Sequence, residues 1–581
     1  MLAFWHLIHR YLWEFGLLSN KLFAILAAIA VLNVTMSAQT QSASNPAPMP
    51  ANAGVPKPVA AAAASIDPEK LRAHVRFLSD DLLEGRGTGQ RGGDIAAQYI
   101  ATQFALYGLK PAGDNGSYLQ KVDFLGVRTV ASGTNFVVEG TEGNSVPLKI
   151  QDEYIVTNQT GKPVAEVDAP IVFVGFGINA PEYKWDDYKG VDLKGKVALV
   201  IVSQPGEEPS SPFHGKALTY YGRWTYKYEE LARRGAVGVM IIHRTDLASY
   251  PFTVLQSSGL TERSELKGDP LDTLEAASWI TTAAAEKIFA LAGKKLSSEM
   301  ADAQSRDFKP VELGVRLRAH IVSQVREFSS NNVIAELPGD SVAAGKPDAA
   351  VFYTGHYDHL GLGANTTGDN IYNGAADNAT GSAIVIELAR AWSECKLRPA
   401  HSIFFATVTG EEQGLLGSKF LGMHPPVPAA QISLDLNYDE LLPIGDAASA
   451  DVSGAERTSF WPVVQETAKA FGLLLQPDYQ PMAGHYYRSD HFSFARVGVP
   501  AFSVGEGTLF VGHDNSWGVE QERIYTEQHY HQVSDEYSPS MDFSGNARLA
   551  RFGFVLGWKA SAMAAPLGWQ PGDEFEAARK K

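Results

Sequence analysis

From about residue 330 the chain alternates short, largely apolar runs with helical stretches, and this alternation constrains the fold more than any other feature. Apolar runs fall at 333–337, 350–354, 402–408 and 432–434, and helical patterns occupy 380–392, 414–421 and 460–471. Strands this apolar are covered on both faces. Strand–helix alternation implies an α/β fold with a central mixed, mostly parallel sheet flanked by helices. Ligands of such sheets bind beyond the carboxyl ends of the strands.

Polar residues cluster at those ends. His356 and Asp358 directly follow the run at 350–354. Asp377 precedes the helix at 380. Glu411 and Glu412 come just after 402–408, Asp435 ends the run at 432–434, and His531 lies further on in Tyr530-His531-Gln532-Val533. Each has an ordinary explanation when taken alone: a loop histidine, a helix cap, a solvated pair at a helix start. Asp435 is harder to explain away, because an Asp closing an apolar run is costly unless paired or metal-bound. Together, hard carboxylate oxygens and neutral imidazoles suit zinc. Two ions sharing a bridging carboxylate account for the number of ligands. Neighbouring glutamates point in different directions, so one can coordinate while the other serves as a base. The chemistry indicated is metal-dependent hydrolysis.

Competing signals are weak. No His-Glu-x-x-His and no Gly-x-Ser-x-Gly occurs. The run at 190–197 approaches a phosphate-binding loop, but Val197 stands where Ser or Thr is needed and a strand follows. Gly85-Arg86-Gly87-Thr88-Gly89 reads as a structural turn. The single cysteine, Cys395, permits no intramolecular disulfide and no Cys-ligated zinc. A formal net charge of -16 with no basic stripe argues against a nucleic-acid partner.

The 581 residues exceed what one core accommodates, so several domains are expected. Arg10 and Lys21 precede an apolar run at 22–34, with small residues at Ser37-Ala38. This matches a secretory signal at 1–38, and the run is too short for a comfortable membrane span. The expected location is periplasmic or secreted, with no stable membrane association after cleavage. Residues 39–64, rich in Ala, Pro, Ser and Asn, read as a disordered linker. The fold is expected to begin at Asp67-Pro68-Glu69, with Asp as helix cap and Pro as first helical residue. A β-rich segment follows at roughly 131–315, with apolar runs at 171–174, 197–202 and 235–242.

Five motifs in order, GHYDHLG, NGAADNATGSA, EEQGLLGS, ISLDLN and YHQVSDEY, resemble those of the co-catalytic di-zinc exopeptidases. That group includes secreted bacterial aminopeptidases and glutamate carboxypeptidase II. FLSDDLLEGRGTGQRGG resembles the start of bacterial members. VGFGINAPEYKWDDYKGVDLKGKVALV and ELARRGAVGVMIIH resemble an inserted protease-associated domain. The resemblance implies a zinc exopeptidase fold made of 65–130 and 316–570, with the insertion at 131–315 and a C-terminal tail at 571–581.

It also implies roles. His356 and Asp435 would bind a first zinc, Glu412 and His531 a second, and Asp377 would bridge the two Zn2+. Asp358 would orient His356 through its other ring nitrogen. Glu411 would be the general base. One departure is Ser433, where many members carry Asn two residues before the Asp; Asp439, in Asn437-Tyr438-Asp439, is a nearby alternative. His485, His491 and His513 are not expected to be ligands, and the segment 486–491 resembles one beside the substrate pocket. The implied activity is an exported aminopeptidase acting on peptides. A carboxypeptidase, with Arg488 holding a terminal carboxylate, and a one-zinc acyltransferase resembling glutaminyl cyclase are the alternatives.

Overall fold

The structure, a computed structural model, describes residues 53–580 apart from 142, 216, 249, 364–367 and 479–480. The signal expected at 1–38 lies outside the described residues, as does most of the linker. No helix among the described residues is long and apolar enough to cross a membrane.

The last part of the expected linker is not structureless. Lys57–Ala64 forms helix α1, with Val59, Ala62 and Ala63 buried in the main core. Alanine is the best helix former and loses no side-chain entropy, so an Ala-rich stretch can fold once it has a surface to pack on. Pro68–Leu78 (α2) begins as expected, with the Asp67 carboxylate accepting the Glu69 N–H at 2.9 Å. Arg91–Leu106 (α3) follows the glycine-dense loop.

Leu119–Thr129 is β1. The β-rich segment then contributes Tyr154–Thr157 (β2), Val164–Phe173 (β3), Val197–Ile201 (β4), Gly238–His243 (β5) and Ala276–Thr281 (β6). Strands β3 to β6 run parallel to one another, and β2 pairs antiparallel with β6. Helices Trp224–Arg233 (α4) and Thr282–Leu291 (α5) cover them, giving this segment apolar cores of its own.

A single strand of 27 residues, Val311–Leu337 (β7), joins this sheet to the next. Its first part lies antiparallel to β3, its middle to β1, and its end to a strand at 403–408. The boundary expected at 315/316 therefore falls inside continuous strand, not in a linker.

The second sheet holds Ala350–His356 (β8), Ile403–Val408 (β9), Ile432–Asn437 (β10) and Ala501–Ser503 (β11). Its order is β11-β10-β8-β9-β7, parallel except for β7. Thr380–Glu394 (α6), Leu416–Met423 (α7), Trp517–Gln528 (α8) and Ser544–Ser561 (α9) are among its helices. The arrangement is the mixed, mostly parallel α/β sheet flanked by helices that the alternation implies.

Helix α6 is buried on nearly every side, its buried Glu387 and Arg390 included. The Arg390 guanidinium of α6 stands 3.0 Å from the Glu387 carboxylate and also donates to the Ser65 carbonyl at 2.7 Å, tying the N-terminal helices to this core.

Candidate metal centre

The parallel register places three strand ends on one rim. His356, the last residue of β8, is level with Val408 at the end of β9, and Thr354 with Asn437 at the end of β10. The loops leaving these strands carry the site, and Asp377 joins them from the irregular turn before α6.

Asp377 lies at the centre. Its Oδ1 is 3.3 Å from His356 Nε2, and its Oδ2 is 3.2 Å from His531 Nε2. Each oxygen thus faces a different histidine. His356 Nε2 is also 3.0 Å from an Asp439 oxygen, and His531 Nε2 is 3.1 Å from a Glu412 oxygen. Ligand atoms of His356, Asp377 and Glu412 all fall within 4.8 Å of one another. Two donor sets result, one of His356, Asp439 and Asp377, the other of His531, Glu412 and Asp377.

Asp435, expected as a ligand, is not in either set. It sits within β10, fully buried, with Oδ1 2.9 Å from the Thr354 hydroxyl and Oδ2 without a hydrogen-bond partner. Burial drives its carboxyl well above the usual range. The period of two along a strand puts 435, 437 and 439 on one side, and only Asp439 lies past the strand end, on the rim. The Ser489 hydroxyl, itself receiving the Asn437 amide at 2.6 Å, donates to Asp439 Oδ2 at 2.5 Å. A signal for this was present: Asn437 stands two residues before Asp439.

Asp358 departs in a smaller way from its expected role. His356 Nδ1 is 3.0 Å from the backbone carbonyl of Asp358 and 3.9 Å from its carboxylate. The carboxylate instead accepts the Thr88 hydroxyl at 2.7 Å and the Glu411 N–H at 3.3 Å. It therefore positions the loop of the proposed base, and burial raises it to about 6.

The glycine-dense loop is more than a turn. Arg86, fully buried with φ 49°, donates to the carbonyls of Leu78, Tyr357, Asn373 and Gly374. It clamps the two loops that carry His356 and Asp377. Sequence reasoning also passed over His359, next to Asp358, whose Nδ1 is 2.6 Å from a Glu412 oxygen. Asp535 was missed as well; its carboxylate accepts the N–H groups of Ala376 and Asp377 at 3.0 and 3.1 Å.

The electrostatics match the geometry. Burial opposes charge on Asp377, yet contacts with His356 and His531 hold it well below its ordinary value. Against burial, Asp377 and Glu412 lift His531 to about 10, and Asp439 and Glu411 lift His356 well above its ordinary value. Glu411, with Oε2 3.9 Å from His356 Nε2, is pushed well above the usual carboxylate range by burial and by Asp439 and Glu412, although His356 pulls it down. So many carboxylates in one dry place call for positive charge. Two imidazoles and two carboxylates around a shared Asp fit a pair of zinc ions by donor chemistry and count.

The rim opens into a cavity of about 360 Å³ lined by His356, Asp377, Glu411 and Asp439 and by Glu440, Asp451 and Glu506. His485 and His491 line it without joining the donor sets, and His513 stacks on Trp517.

The sequence model of peptidase family M28 matches residues 332–551, the stretch that holds all of these ligands. The chain is 27% identical over 256 residues to a leupeptin-inactivating enzyme of Streptomyces exfoliatus, an alignment covering 42% of this chain and 51% of that one. It is 41% identical over 113 residues to a probable zinc metalloprotease of Pyricularia oryzae, covering 19% and 20% of the two chains. The chain thus spans about half or less of the length of these curated relatives. Among solved structures, an aminopeptidase from Aneurinibacillus sp. strain AM-1 aligns at 19% identity over 88% of this chain and 97% of that one, with a TM-score of 0.44.

Proposed function

From the donor geometry and the match of residues 332–551 to the sequence model of peptidase family M28, we propose that the protein is a zinc aminopeptidase using two ions and a glutamate base. The observation that carries this is the division of Asp377 between two histidines. A carboxylate with one oxygen toward His356 and the other toward His531 is placed to bridge. His356 and Asp439 would complete one ion's ligands, Glu412 and His531 the other's.

When bound, such ions act as Lewis acids toward a carbonyl and lower the pKa of water. The chain's own residues do the rest. Glu411 stands beside the donor sets, its Oε2 3.9 Å from His356 Nε2, where a base accepts the attacking water's proton and returns it to the leaving amine. Asp358 fixes its approach through the Glu411 N–H. Glu440, Asp451 and Glu506 make the adjoining cavity acidic, favouring a substrate that enters with its α-ammonium. Export, by the N-terminal signal, belongs to the same proposal.

A panel of aminoacyl anilides tests the reading, each assayed free and N-blocked, with and without chelator. Turnover of the free compounds alone, abolished by chelator and restored by zinc, is expected. Equal turnover of the blocked compounds would refute the aminopeptidase assignment.

A further inference from the structure

The β-rich insertion meets the metal centre across a second cavity of about 600 Å³. Glu411, Glu412 and His531 line it together with Arg223 and Trp224 of the insertion. Glu411 and Arg488 line both this cavity and the acid-lined one, so the two spaces meet at the proposed base. A substrate held with its ammonium end in the first space would send its leaving portion into the second.

The charges lining this second space are mostly matched. Arg496 pairs with Glu229 at 2.6 Å, and Lys419 with Asp269 at 2.5 Å. Arg223 and Arg488 are in no ion pair shorter than 4.0 Å among the described residues. The Arg223 Nε is buried without a hydrogen-bond partner among the described residues. The ionisable groups acting on it are Arg488, Tyr250 and Tyr487, and burial followed by the nearby Arg488 lowers it to about 10. A half-buried guanidinium with an unpartnered Nε beside a second cation is unfavourable until an anion arrives. The planar fork of Arg matches a carboxylate with two parallel hydrogen bonds. Glu229, Glu265 and Asp272 in the same walls disfavour a polyanion, so a single negative charge is the better match.

Resting on the aminopeptidase reading, we propose that Arg223 and Arg488 bind the C-terminal carboxylate of short peptides, making free dipeptides and tripeptides the preferred substrates. The insertion would then act as a length gauge, because its arginine lines the same cavity as the base.

The test compares Leu-Leu with Leu-Leu-amide on the full chain and on Arg223→Ala and Arg488→Ala. The wild-type ratio of kcat/KM, free acid over amide, should be about tenfold or more, the usual contribution of a charge-assisted hydrogen bond. In both variants it should fall to about one, through KM. Arg488 is exposed, so its variant keeps the test valid if Arg223→Ala folds poorly. A wild-type ratio near one, or a ratio unchanged in both variants, overturns the proposal. If no peptide is hydrolysed, the functional reading fails, and calorimetric titration with leucine and leucinamide decides the site alone. Tighter binding of leucine by about tenfold, lost in the variants, supports it; equal binding overturns it.

Discussion

Asp535 accepts the backbone N–H of Asp377 at 3.1 Å, four residues after His531 in the chain. One loop therefore supplies both a histidine of the second donor set and the anchor of the shared carboxylate. Tyr525 Oη, 3.2 Å from Asp535 Oδ2, braces it from α8. Partners of this kind commonly set metal affinity by about 10–100-fold. Asp535→Ala should lower zinc affinity within that range in a chelator competition; unchanged affinity would remove the loop from the account.

The two candidate aspartates of β10 and its exit loop separate cleanly. Asp439→Asn should lose one zinc per chain. Asp435→Asn should keep both, because a buried carboxyl driven well above its usual range resembles the amide that replaces it. Elemental analysis of the two variants checks this, and the opposite pattern would restore Asp435 as the ligand.

Glu411 lies outside both donor sets, so Glu411→Gln should retain the metal. Its kcat should fall by about 10²–10⁴, the usual contribution of a positioned base. Normal turnover at full metal content would refute its role.

Protons and zinc compete for His531, whose folded value of about 10 lies above the ordinary 6.5. A raised value means stability that is fully present below about 6.5 and lost as pH climbs toward 10. The metal-free protein should therefore melt at lower temperature as pH rises across that window, and less so in His531→Ala. Zinc affinity should move the other way, because binding expels the proton. Parallel slopes would contradict the assignment.

Arg86 replaces a whole set of backbone donors. In Arg86→Ala four buried carbonyls lose their partner at once, and a loss of about 3–5 kcal/mol is expected from removal of a buried charge that its surroundings were built around. Thermal unfolding measures it; a near-neutral variant would mean the two ligand loops hold themselves.

Much of this was legible in the chain because strand ends and rim residues coincide. His356, Asp377, Glu411, Glu412 and His531 all reach one place, and the parallel sheet that brings them there follows from apolar runs spaced by helices. Asp435 misled because closing an apolar run is a property of a buried strand residue as much as of a ligand. Asp439, two residues past the strand end, has two positions earlier the Asn that many members of the resembled group carry. Arg86 and Asp535 were hidden because they act on backbone groups of distant loops, and no spacing rule connects residue 86 with residue 374. The helix at 57–64 was missed because a run of alanines buries little by itself; α6 and α9 supply its surface.

The most direct measurement is anomalous scattering at the zinc edge from crystals of the zinc-loaded protein. Two peaks are predicted, one beside His356 and Asp439, the other beside His531 and Glu412, with Asp377 touching both. A single peak at saturating zinc, or one coordinated by Asp435 in place of Asp439, would contradict the account.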